Sequence, residues 1–157
     1  MNNDHNNKSF VKYNMYVKHY KKKFKVKNTT MSNDLNNAAK QVFGPQFKGV
    51  YAQDTVPKNL LPNSMFIFNT DLSNKPGIHW CAGYKAGKNV YIYDSYGRKS
   101  SKLLPVLKKQ HTGGGFKIID SDTLDKEQTV NQRNCGIRCL AWLSIVRDFG
   151  IKEALKI

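Results

Sequence analysis

Polar and apolar positions divide the chain into short elements. Residues 1 to 9 are asparagine-rich and have nothing to bury, which predicts a disordered start. From Phe10 to Lys27 aromatics and lysines interleave, and the last part alternates charge with apolar residue as an edge strand does. This basic arm reads either as a strand or polyanion-binding segment, or as a solvated tail. Ser32 to Phe43 predicts a helix, with Leu35, Ala38, Ala39 and Val42 on one face and Gly44-Pro45 as its stop. Phe47 to Asp54 leads into a Pro-punctuated loop, and Ser64 to Asn69 predicts a strand. Ile78 to Lys85 and Asn89 to Ser95 flank Ala86-Gly87-Lys88 at hairpin spacing, so they predict antiparallel neighbours.

Ser100 to Gln110 reads as helical, with Pro105 in a first turn or at a kink. Phe116 to Asp120 reads as a strand, Ser121 to Asn134 as a long polar loop, and Ile151 to Ile157 as a short helix. Between the last two, a polar run turns apolar at Cys135. Asn134 is a candidate cap, and Ile137 to Val146 is apolar nearly all round, as a central helix is. The expected fold is α+β over one domain, 1–157. A mixed, mostly antiparallel sheet packs against helices, with the Cys135 helix buried and its N-terminus at the sheet's edge.

Charge and cysteine content narrow the setting. The 26 lysines and arginines against 11 acidic residues give a formal charge of +15, a field that draws polyanions, with nucleic acid the leading partner. Three cysteines are an odd number without disulfide-like spacing, and no apolar leader marks secretion. The expectation is a reducing, intracellular setting. No apolar run approaches the ~20 residues that span a bilayer, so no membrane partner is expected.

Candidate chemistry gathers on four residues. A thiol at the start of a helix faces the positive end of its dipole, which favours the thiolate. A nucleophilic Cys135 needs a base and a group that holds the base. His79 stands near the start of one hairpin strand and Asp94 near the end of the other, so the two ends lie side by side. Gln128, in the loop before Cys135, is a candidate oxyanion donor beside the Cys135 backbone N–H; Asn131 is the alternative, more suited to shaping the loop. Trp80 reads as core or as a lid over the imidazolium. Cys139 reads as core, and His5, His19 and His111 as exposed. A rival arrangement is a structural zinc site made by His79, Cys81, Cys135 and Cys139, although no C-x-x-C spacing is present.

These residues carry a resemblance. Gly77-Ile78-His79-Trp80, then Tyr91-Ile92-Tyr93-Asp94-Ser95-Tyr96-Gly97, then Gln128, Asn131 and Cys135-Gly136-Ile137-Arg138-Cys139 resemble the adenain-like family of viral maturation proteases, as does Phe47-Lys48-Gly49-Val50-Tyr51. The likeness runs from about Phe47 to about Phe149 and extends to proteases of ubiquitin-like modifiers. It implies a papain-like cysteine endopeptidase that cuts capsid and core precursors after Gly-Gly or Gly-Ala type motifs, with a Cys135, His79, Asp94 triad and Gln128 as oxyanion donor. It implies no required cofactor and no metal. DNA is implied as an activator, which gives Lys21, Lys22, Lys23, Lys25 and Lys27 a polyanion-binding role. The expected protein is a monomer of the virion and the infected cell. The alternatives are a protease of host ubiquitin-like modifiers, or a basic virion protein that no longer catalyses.

Overall fold

The computed structural model describes residues 8–24, 32–75, 79–112, 117–122, 127 and 134–157. The elements run α1 (Lys8–Phe24), α2 (Ser32–Phe43), β1 (Phe47–Ala52), β2 (Met65–Asn69), β3 (Trp80–Ala86), β4 (Asn89–Tyr93), α3 (Ser100–Leu103), α4 (Pro105–Thr112), β5 (Lys117–Asp120), α5 (Cys135–Phe149) and α6 (Ile151–Ala154). The class is α+β, as expected. The strands form one sheet in the order β1-β2-β3-β4-β5. Its inner pairs, β2 with β3 and β3 with β4, are antiparallel, while β1 with β2 and β4 with β5 are parallel. The sheet is therefore evenly mixed rather than mostly antiparallel. Long connections join β1 to β2 and β4 to β5, and these allow a parallel return that a tight turn forbids.

Alternation along the strands sorts side chains to two faces. Met65, Ile67, Ala82 and Tyr93 face α1, α2, α5 and α6, in a core that includes Trp142, Leu140 and Ile137. Phe66, Phe68, Cys81, Val90 and Ile92 pack on the other face with Leu104 and Leu107. Pro105 opens α4 as a separate helix, the position where a missing N–H costs nothing. Gly83 pairs with Phe66 across β2 and β3, and a Cβ there would lie 2.2 Å from the Phe66 ring. The glycine makes room for a fully buried aromatic.

The N-terminal region departs from expectation. Lys8 to Phe24 is helical, and the helix already includes Lys8 and Ser9 of the stretch read as disordered; of the part read as an edge strand, Lys25 to Lys27 lies outside the described residues. Ser9, Tyr13, Val17 and Tyr20 form its buried face, with Phe10, Tyr16 and Phe24 at the margin. That spacing is helical, and packing against α5 realises it. Polar pins fix the docking: Ser9 Oγ donates to Glu153 Oε2 at 3.0 Å, the Tyr13 and Tyr93 hydroxyls meet at 2.5 Å, and those of Tyr20 and Ser144 at 2.6 Å. Tyr16 also donates to Asp148. Lys21, Lys22 and Lys23 stay exposed in the last turn of α1, where helix polarity favours cations. Lys25 and Lys27 lie outside the described residues.

Replacing Gly83 with alanine forces a methyl group into the Phe66 ring. The expected loss is about 2 kcal/mol of unfolding free energy, measured by denaturant titration.

Candidate active site

The β3–β4 hairpin builds half of the site. Its register pairs Ala82 with Tyr93, and continued past the end of the ladder it sets Asp94 across from Cys81 and Tyr96 across from His79. His79 and Asp94 then lie diagonal to each other on one face. His79 Nε2–H donates to Asp94 Oδ1 at 2.6 Å, as the hairpin geometry predicts. The turn after β4 holds the carboxylate. Gly97, at φ +66°, lets the chain fold back so that its N–H donates to the Asp94 carbonyl at 2.9 Å. The Tyr96 N–H donates to Asp94 Oδ1 at 3.1 Å, and Arg98 Nε donates to Asp94 Oδ2 at 2.7 Å.

Helix α5 supplies the other half. Cys135 is its first residue, and Gly136 to Val146 are all buried. Cys135 itself is only half-buried, whereas Cys81 and Cys139 are buried, and all three are free thiols. The helix packs across β3, so its N-terminus meets the end of the central strand rather than a lateral edge of the sheet. That placement sets the Cys135 sulfur and the His79 ring close enough for each to shift the other's proton affinity. The expected Asn134 cap is not made. Instead the Asn134 side-chain oxygen accepts from Arg138 Nε at 3.0 Å, and Arg138 Nη1 donates to Tyr13 at 3.2 Å. The buried guanidinium draws the amide away from the helix end and ties α1 to the first turn of α5.

Proton affinities follow from these contacts. Burial alone opposes a charged Cys135, but the hydrogen bond and positive charge of His79, with the backbone N–H groups of Trp80 and Gly136, lower the thiol below its ordinary range. Burial also opposes an imidazolium. Hydrogen bonds to Asp94 and Cys135, and their negative charge, outweigh it and raise His79. Both shifts favour a thiolate–imidazolium pair. For Asp94 burial acts upward, yet the bonds from His79 and Arg98 bring it down to about 2. Cys81 and Cys139 move the other way, since burial pushes both thiols well up.

The zinc arrangement fits less well. Cys81 and Cys139 belong to cores on opposite faces of the sheet, and the Cys139 thiol donates to the Trp80 carbonyl at 3.4 Å. His79, Cys81 and Asp94 do bring ligand atoms within 4.8 Å of one another. In that group the carboxylate oxygens already accept from His79, Tyr96 and Arg98, and burial holds the Cys81 thiol protonated.

Gln128 and Asn131 lie outside the described residues, so the oxyanion donor is an expectation only. Glu127, next to Gln128, donates its N–H to the Ser95 carbonyl at 3.0 Å, which fixes the backbone there one residue from Asp94. Trp80 packs on the α5 core, while the ring laid on His79 is that of Tyr96, with centroids 4.7 Å apart. Sequence reasoning assigned no role to Tyr96 or Arg98. The signal was present in Asp94-Ser95-Tyr96-Gly97-Arg98, opposite charges four apart around a turn glycine. A comparison with protein-family models finds no match, and a comparison with curated proteins finds none either. Among the described residues no helix is long and apolar enough to cross a membrane.

Two expectations follow. Iodoacetamide alkylates Cys135 at a lower pH than it does an ordinary thiol; Cys135→Ala abolishes that labelling, and His79→Ala moves it toward alkaline pH, as read by intact mass. Asp94 binds its proton more weakly folded, at about 2, than at the ordinary value of 3.8, so its stabilising effect is complete above about pH 4 and is lost as pH falls toward 2. The contribution is on the order of 2 kcal/mol. Thermal unfolding across that window should show a smaller acid destabilisation in Asp94→Asn than in wild type.

Proposed function

We propose that the chain is a cysteine endopeptidase of the adenain-like kind. The observation that carries this reading is the contact series from Cys135 to His79 to Asp94, with the thiol lowered and the imidazole raised. The family resemblance supplies the substrate class: capsid and core precursor proteins, cut after small residues of Gly-Gly or Gly-Ala type during virion maturation.

In the proposed reaction the Cys135 thiolate attacks the scissile carbonyl carbon and forms a tetrahedral oxyanion. The Cys135 backbone N–H, at the start of α5, and the Gln128 amide donate to that oxyanion. His79 delivers its proton to the leaving amine as the C–N bond breaks, which leaves a thioester. It then takes a proton from water, whose oxygen displaces the sulfur. Asp94 stays ionised throughout and holds the imidazole ring. The charge of +15, with the exposed Lys21, Lys22 and Lys23, supports viral DNA as a partner in the virion.

Incubation with Gly-Gly-X precursor proteins, with and without duplex DNA, tests the proposal. Mass spectrometry should find new termini after small residues with wild type and none with Cys135→Ala. Cleavage of ubiquitin-like conjugates alone would favour the related modifier proteases. A Cys135→Ala variant that still cleaves would refute cysteine catalysis.

A further inference from the structure

We infer that Arg98 is a positioning residue for His79, acting through the Asp94 carboxylate on one side and the Tyr96 ring on the other. The inference rests on the proposed cysteine chemistry and assigns a residue to it that the resemblance does not.

The first route is geometric. A carboxylate held at one oxygen can swing about its terminal torsion, so its hydrogen bond to an imidazole wanders with it. Here Oδ1 accepts from the Tyr96 N–H and from His79, and Oδ2 accepts from Arg98 Nε. Donors on both oxygens fix the plane of the group. An Nε–H lies in the guanidinium plane and is directional, which an ammonium is not.

The second route is by stacking. The Arg98 guanidinium lies 5.0 Å from the Tyr96 ring centroid, and that ring lies 4.7 Å from the His79 ring at an angle of 35°. The Tyr96 ring thus contacts both the guanidinium and the imidazole while Arg98 Nε grips the carboxylate. An ordinary surface ion pair does neither and contributes little. This one is lopsided in burial: the Asp94 side chain is 2 % exposed and the Arg98 side chain 42 %.

Charge supplies the third argument. Thiolate, imidazolium, carboxylate and guanidinium alternate in sign and sum to zero. Without Arg98 the group would carry a net negative charge, and His79 would hold its proton more tightly. An imidazolium of that kind is a poorer acid toward a leaving amine. Arg98 therefore tempers His79 as well as aligning it.

The test uses the full chain as wild type, Arg98→Gln and Arg98→Lys. Imidazole NMR follows the titration of His79 and its downfield Nε2–H proton, and iodoacetamide alkylation follows Cys135. In Arg98→Gln the His79 titration should rise by about 0.5 to 1 pH unit, the downfield proton should broaden, and peptide turnover should fall about tenfold. Arg98→Lys should restore the titration but neither the sharp proton nor the turnover. An Arg98→Gln variant with the wild-type titration and a sharp downfield proton would overturn the inference. Should Arg98→Gln fail to fold, Arg98→Lys decides alone, and a wild-type proton signal and turnover there would equally overturn it. Failure of the peptidase reading has a separate signature: wild-type Cys135 would be alkylated only at the alkaline pH of an ordinary thiol, whatever the Arg98 variants do to His79.

Discussion

A carboxylate shut away from water and held by three donors fixes the geometry of the whole site. Asp94 sits where β4 leaves the sheet, and its two oxygens accept from His79, from the Tyr96 N–H and from Arg98. An anion so buried is tolerable only when its lone pairs are met by well-placed donors. Each donor is thereby fixed in its turn. The Tyr96 N–H fixes the turn after β4, and Arg98 ties the next residues back onto it. His79, joined to the same oxygen as the turn, is held with Nε2 on the carboxylate, which leaves Nδ1 as the ring nitrogen that Asp94 does not engage. The carboxylate also makes the imidazolium favourable, and the imidazolium makes the thiolate favourable.

The Cys135 thiol arrives on a separate element, and its position depends on packing rather than on the hairpin. Helix α5 is buried for eleven consecutive residues, Gly136 to Val146, against the sheet and α1. A helix covered on all sides cannot slide by a fraction of a turn without opening voids on several faces. Tyr93 illustrates the coupling. It precedes Asp94, its ring stacks on Trp142 of α5 at 5.5 Å, and its hydroxyl meets Tyr13 of α1. One residue thus joins the strand that carries the carboxylate, the helix that carries the thiol and the helix that covers both. Arg138 closes the circuit by linking Tyr13 to Asn134, the residue before Cys135.

The parts of this arrangement that were legible in the sequence are those governed by local rules. The Gly87 turn, the apolar run after Cys135 and the Pro105 break identify the β3–β4 hairpin, α5 and the α3–α4 division, because turn chemistry and burial act within a few residues. The hairpin then brings His79 and Asp94 together by register alone. Helix α1 was misread because its lysines and tyrosines mask an apolar repeat at Phe10, Tyr13, Val17, Tyr20 and Phe24. Alternation near Lys25 gave a competing period, and only contact with α5 selects the helix. Asn134 was misread for a related reason. A capping asparagine is a local expectation, and a buried arginine one turn on overrides it. The long connections beside the outer strands permit either direction, and nothing local selects the parallel one.

The high net charge has a different reach from the hydrogen bonds. At physiological salt a charge is screened over about 8 Å, so lysines on the outer face of α1 act weakly on a buried ion pair. The thiolate is set instead by groups in contact with it: the His79 ring and the Trp80 and Gly136 N–H donors. Net charge belongs to a longer-range task, the approach to a polyanion, for which exposed lysines need only face solvent. The two properties can therefore vary separately. Neutralising surface lysines should change how the protein meets an anionic partner while leaving the proton affinities of Cys135 and His79 where local contacts hold them.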